Sequence, residues 1–161
     1  MNKFLKYIPA ILLVGSLLTA FNPVDKTPVK CLIQLTNYSG EGAYLIVSIV
    51  DADNEYVETI YVQGKDSEWY SEITEWWKFY GKNRPNIDAI SGETISGGER
   101  ALNVLQIPTD KIDKGYQLRF ETSVEDQGYY EDDIQFPLTT ENLTTKVEGK
   151  GFIRYVRMLP Q

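Results

Sequence analysis

Tyr116-Gln117-Leu118-Arg119-Phe120-Glu121-Thr122-Ser123-Val124-Glu125 is the stretch on which the fold turns. Leu118, Phe120, Thr122 and Val124 alternate with Gln117, Arg119 and Glu121, the period of two that a half-buried β-strand produces. Outward from it, the same signal recurs at 29–38, 43–50, 56–63, 100–107, 133–138 and 151–159, in runs rich in β-branched and aromatic residues. Asn37, Ser39, Gly40 and Gly42 end the first run, and Asp51-Ala52-Asp53-Asn54-Glu55 makes a polar hairpin tip between the second and third. Many short strands with no βαβ rhythm and no internal repeat define an all-β, antiparallel sandwich.

The period changes once. Asp66 is placed to cap a helix with Glu68 in its first turn, an apolar face of Trp69, Ile73, Trp76, Trp77 and Tyr80, and Gly81 as its end. The fold class is therefore all-β with one inserted aromatic-rich α-helix. Helical spacing assigns Trp76 to the core and turns Trp77, about 100° away, toward any ligand. The stretch 82–99, with Pro85, Gly92, Gly97 and Gly98, reads as a long loop of the kind that often carries function.

At the N-terminus, Lys3 and Lys6 precede an apolar stretch from Ile8 onward that closes on the small residues Thr19 and Ala20. This is the three-part form of an export signal, read as 1–20 and followed by a tether at 21–28 and a single domain at 29–161. The stretch is shorter than the roughly 20 apolar residues of a spanning helix, and an uncleaved anchor is the alternative. Cys31, the one cysteine, alternates with Val29, Ile33 and Leu35. In an oxidising compartment without a partner, it is expected to be buried.

The 161 residues are 42% hydrophobic and 24% charged, an ordinary globular balance. With 16 basic and 23 acidic residues, the net charge of -7 disfavours nucleic acid and anionic membrane surfaces as partners. Membrane contact is expected only through an uncleaved signal. The absence of histidine excludes Ser-His-Asp and Cys-His catalysis and, with one cysteine, ordinary zinc sites. The acidic tip at Asp51 is not a calcium loop, because its sixth position is Tyr56 rather than glycine and its twelfth is Val62 rather than glutamate. Tyr129 and Tyr130 beside Glu131, Asp132 and Asp133 read as an exposed acidic turn, with a cation or peptide site as the functional alternative.

Ala43-Tyr44-Leu45-Ile46-Val47 runs into Val50-Asp51-Ala52-Asp53, followed by Val57-Glu58-Thr59, the Trp76-Trp77 pair, Asp88-Ala89-Ile90-Ser91-Gly92-Glu93-Thr94, Lys114-Gly115-Tyr116, and Glu121 with Glu125-Asp126-Gln127-Gly128. In their order and spacing these elements resemble a bacterial periplasmic family, domain of unknown function 2271. The resemblance implies export, an immunoglobulin-like β-sandwich, and company with a PepSY-type membrane redox protein and a flavin transferase. It implies no established activity. The chain departs from the family in carrying Glu93 where alanine is usual and in lacking a Trp-Asp-Gly turn within 105–113.

The segment 88–94 is similar to the acceptor signature for covalent flavin attachment. By that analogy Thr94 would be esterified through the phosphate of FMN, Ser91 and Gly92 would let a transferase approach the backbone, Asp88 would position the segment, and Trp77 would lie near the flavin. The simpler alternative is that Ser91-Gly92 and Ser96-Gly97-Gly98 only turn the chain. Three functions follow: a non-enzymatic envelope domain serving a membrane redox or metal-handling system, an interaction or adhesion module without cofactor, and a carboxylate hydrolase using Glu121 and Glu125. Four residues along a strand would set that last pair roughly 13 Å apart, wider than glycosidase carboxylates.

Overall fold

A computed structural model describes residues 24–64, 66–87 and 90–160; the segment read as an export signal and Asp88 lie outside them. The strands are β1 (Lys26–Leu35), β2 (Tyr44–Val50), β3 (Tyr56–Gln63), β4 (Ser91–Gly92), β5 (Arg100–Pro108), β6 (Gln117–Val124), β7 (Gly128–Pro137), β8 (Lys146–Glu148) and β9 (Ile153–Pro160), with one α-helix, α1 (Thr74–Asn83). They form two sheets, β5-β1-β9-β8 and β4-β3-β2-β6-β7, antiparallel throughout except for the β3–β4 pair. The chain is an all-β sandwich with one inserted helix.

Between the sheets lies the larger core. Val29, Cys31, Ile33 and Leu35 of β1 face Leu45, Val47 and Ile49 of β2 and Leu118 and Phe120 of β6, all of them buried. Cys31 has no exposure, and burial pushes its thiol up to about 12, so it behaves as a small apolar side chain. Strand pairing begins three residues inside the segment read as a tether: Lys26, Thr27 and Pro28 already pair with Pro108, Ile107 and Gln106.

The reading of β6 as half-buried does not hold, because both of its faces are covered. Arg119, Glu121 and Ser123, on the side away from the main core, are 3%, 0% and 4% exposed. What covers the second face is the aromatic segment, packed on Ile46 and Val62 through Tyr70, Ile73 and Trp76. Trp76 is fully buried and donates its indole N–H to Thr59 Oγ1 at 2.9 Å, as its apolar body and polar edge require.

That segment is also not one helix. Asp66 caps as expected, accepting from the Glu68 N–H, but what it caps is a 3-10 turn at Ser67–Glu72, and the chain breaks at Ile73 before α1 begins. The tighter turn puts Tyr70 inward, its hydroxyl on the Gly64 carbonyl at 2.9 Å, and leaves Trp69 half-buried. The helix then runs past Gly81 to Asn83 and closes on Arg84 in the left-handed region at φ 41.

Residues 129–133 are likewise strand rather than exposed turn. Asp133 is fully buried and accepts from the Thr122 hydroxyl and from the backbone N–H groups of Lys150, Gly151 and Ile153. It ties the β8–β9 turn of one sheet to β7 of the other, a structural use for a buried carboxylate.

Candidate functional site

Two polar constellations stand out on the helix side of the sandwich. The first contains the flavin-type segment. Ser91 and Gly92 are β4, a two-residue parallel edge beside Val62 and Gln63 of β3, and the Gly92 carbonyl accepts from Gly64 N–H at 2.7 Å. A side chain at Gly92 would put its Cβ 2.6 Å from the Tyr61 hydroxyl, so glycine here lets the tip of Tyr61 lie against the β4 backbone. Beyond it, Ile95 is buried and bridged to Ala43, with Ala43 N–H donating to the Ile95 carbonyl at 2.7 Å.

Thr94 lies between these two anchors with an exposed side chain. Its hydroxyl rests over Gly42, where an added Cβ would stand 2.6 Å from Oγ1. The acceptor residue of the analogy is therefore on the surface, on backbone held at both ends.

Ser91 also lines a cleft of about 660 Å³ with Ser67, Tyr70, Tyr80, Arg84 and Ile87. Tyr80 stacks on Trp76 with ring centroids 4.5 Å apart. Trp77, half-buried, does not line the cleft; its ring lies 5.9 Å from Tyr80 and carries the Arg84 guanidinium 5.2 Å from its centroid. The fold thus brings Ser91 together with Tyr80 and Arg84 and leaves Trp77 and Thr94 outside the lining. Asp88 lies outside the described residues. Arg84 was missed in the sequence. Its only signal was a cation just after the helix and just before Pro85, which reads equally well as a solvated helix end.

The second constellation is built on Glu121. Its carboxyl accepts from the Tyr56 hydroxyl at 2.6 Å and from the Tyr129 hydroxyl at 2.5 Å, linking β6 to β3 on one side and β7 on the other. Burial drives its proton affinity up to about 7, outweighing the two phenol hydrogen bonds and nearby Arg119, which favour the ionised form. Both phenols are pushed well above the ordinary tyrosine range by burial and by the carboxylate they face. Arg119 stacks over Tyr56 and binds Glu131 at 2.9 Å and Gln135 at 2.8 Å.

Every oxygen of Glu121 is thereby satisfied and none is open to a substrate, while Glu125 sits past the end of β6 in a turn. The pair does not converge on a common cleft in the manner of hydrolytic carboxylates. Among the described residues no three Asp, Glu or Cys side chains are grouped to hold a metal ion, and no helix is long and apolar enough to cross a membrane.

Fold and site together define a β-sandwich domain whose glycine-bearing edge loop is pinned beside an aromatic helix. The family model described as predicted periplasmic protein, domain of unknown function 2271, matches residues 26–155, and the chain belongs to that family. No curated protein and no solved structure matches it.

Proposed function

We propose that this chain is an exported, non-enzymatic envelope domain that serves a membrane redox or metal-handling system and carries FMN on Thr94. The observation that carries this reading is the setting of Thr94: an exposed threonine two residues past β4, between the β3–β4 pairing and the Ala43–Ile95 bridge. A modifying enzyme needs an accessible hydroxyl on a backbone that does not retreat, and this segment offers both. Ser91, just before the acceptor, borders a cleft in which Arg84 brings positive charge and Tyr80 an aromatic face, features that suit a flavin nucleotide, while the exposed Glu93 is an unfavourable charge next to the acceptor.

Attachment forms an Oγ–P bond at Thr94 and breaks the phosphoanhydride bond of a flavin dinucleotide that the transferase binds; the nucleoside monophosphate leaves as the second product, and the hydroxyl proton passes to it. Once bound, FMN supplies one- and two-electron transfer. The protein's own part is to display the acceptor, offer the cleft of Tyr80 and Arg84 beside Ser91, and present the loop to a PepSY-type membrane partner.

The test is intact mass of the protein coexpressed with an active periplasmic flavin transferase. The mass is expected to rise by one FMN less one water, and Thr94→Ala to abolish the rise. An unchanged mass, with the same transferase modifying a control acceptor, would sink the flavin reading and leave the cofactor-free interaction module.

A further inference from the structure

The β5-β1-β9-β8 sheet has an outer face whose centre stays open to solvent. Because Cys31 and Ile33 point inward, Lys30, Leu32 and Gln34 lie on the outer side, where the 98–99 backbone covers Gln34 and Gln34 accepts from the Arg100 guanidinium, leaving Lys30 and Leu32 uncovered. Register then sets Val104 and Leu159 beside Lys30, and Leu102 and Arg157 beside Leu32. Leu102 is 60% and Val104 45% exposed, two of the most exposed large apolar residues described, and they lie on the same side of one strand. Around them stand Lys30, Arg100 and Arg157, none with an ion-pair partner among the described residues, while Lys146 at the far edge is paired with Glu148. A chain of net charge -7 thus gathers unpaired positive charge around an apolar centre on one flat face.

We propose that this face docks on an anionic phospholipid surface, with Leu102 and Val104 entering the headgroup layer and Lys30, Arg100 and Arg157 lying against lipid phosphates. Charge complementarity favours that occupant, since the acidic remainder of the molecule is repelled by the same surface and turns this face toward it. A second copy docking face to face would set Lys30, Arg100 and Arg157 against their own like charges. The position of the chain's start agrees. Val24, 53% exposed, precedes β1 of this sheet by two residues, and the apolar residues from Ile8 to Ala20 come shortly before it in sequence. Whenever that stretch occupies a bilayer, the β1 end of this sheet is held close to the same surface. The proposal stands apart from flavin attachment, because it uses the opposite sheet and no residue of the Thr94 loop.

The experiment is vesicle flotation of the exported protein, with phosphatidylglycerol–phosphatidylcholine vesicles against phosphatidylcholine alone. Binding is expected only to the anionic vesicles, weakened by raised salt and reduced about tenfold or more by Lys30→Glu with Arg157→Glu. Leu102→Ser with Val104→Ser, at positions already exposed, gives a second variant whose folding is not in question and which should also release the protein. Leu102→Cys carrying an environment-sensitive dye reports the face directly, since the buried Cys31 does not compete for the label, and its emission should shift to the blue on anionic vesicles alone. Equal binding to both vesicle types, or undiminished binding by the charge variant, points to the N-terminal segment as the sole anchor and overturns the proposal. So does absence of binding, and so does a dye shift that follows protein concentration or an added acidic protein instead of lipid.

Discussion

The outer faces of the two sheets carry the same kinds of residue at the same strand spacing and meet opposite fates. On β6, Arg119 and Glu121 alternate with core residues and are enclosed; on β1, Lys30 and Leu32 alternate with core residues and face solvent or half-face it. The difference is made by the 3-10 turn and α1, which lie over the β2–β3–β6 side and supply Tyr70, Ile73 and Trp76 as a second small core. Charged residues under that cover must be satisfied internally. They are: Glu121 by two phenols, and Arg119 by Glu131, Gln135 and the face of Tyr56. Charged residues on the other sheet carry no such constraint and keep their charge available to a partner.

The largest expected effect comes from removing the cover. Trp76→Ala takes out the largest fully buried side chain and its bond to Thr59, and should cost about 3–5 kcal/mol in urea-induced unfolding. A loss below about 1 kcal/mol would mean that the helix contributes little to enclosing the sheet.

A second test uses pH. Glu121 holds its proton more tightly in the folded chain, with a pKa of about 7, than an ordinary carboxyl at 4.5. Its favourable contribution is therefore fully present below about pH 4.5 and is lost as the pH rises through about 7. The unmodified chain should lose stability on the order of 3 kcal/mol across that window, and Glu121→Gln should flatten the dependence. Lys30→Gln on the open face should leave the slope unchanged. A slope that survives Glu121→Gln would assign the titration to another group and remove the contrast in environment that it is meant to sharpen.

The smallest effect belongs to the open face. Leu102→Ser should shift the unfolding free energy by no more than about 0.5 kcal/mol, because its side chain is already largely in water. A cost approaching that of Trp76→Ala would show that the face is covered in solution.

Local period and polarity in the sequence were enough for the sandwich, the hairpin tip at Asp51, the buried Cys31 and the core position of Trp76. Each depends on local period or on polarity within a few residues. The tip is held as such turns are, with Asp51 Oδ1 accepting from the N–H groups of Asp53 and Glu55. The two-residue strand β4 and the three-residue β8 were not legible, since runs so short have no period to read. The candidate site was legible in part. Ser91, Gly92 and Thr94 stood out by motif, but that Ser91 alone among them meets Tyr80 and Arg84 depends on how the chain turns back after the helix, which no side-chain period marks.

What the sequence by itself determined is which strand faces are apolar, where the chain turns, and that one aromatic segment departs from the β pattern, because these follow from side-chain spacing of two or about 3.6 residues. What only the tertiary structure decided is which sheet that segment covers. Alternation marks one face of a strand for the main core and is silent on the other, so nothing in Arg119-Phe120-Glu121 distinguishes it from Lys30-Cys31-Leu32 until a helix from elsewhere in the chain packs on one and not the other. That placement turns Glu121 into a buried acid with a raised pKa and leaves Lys30 as an exposed cation.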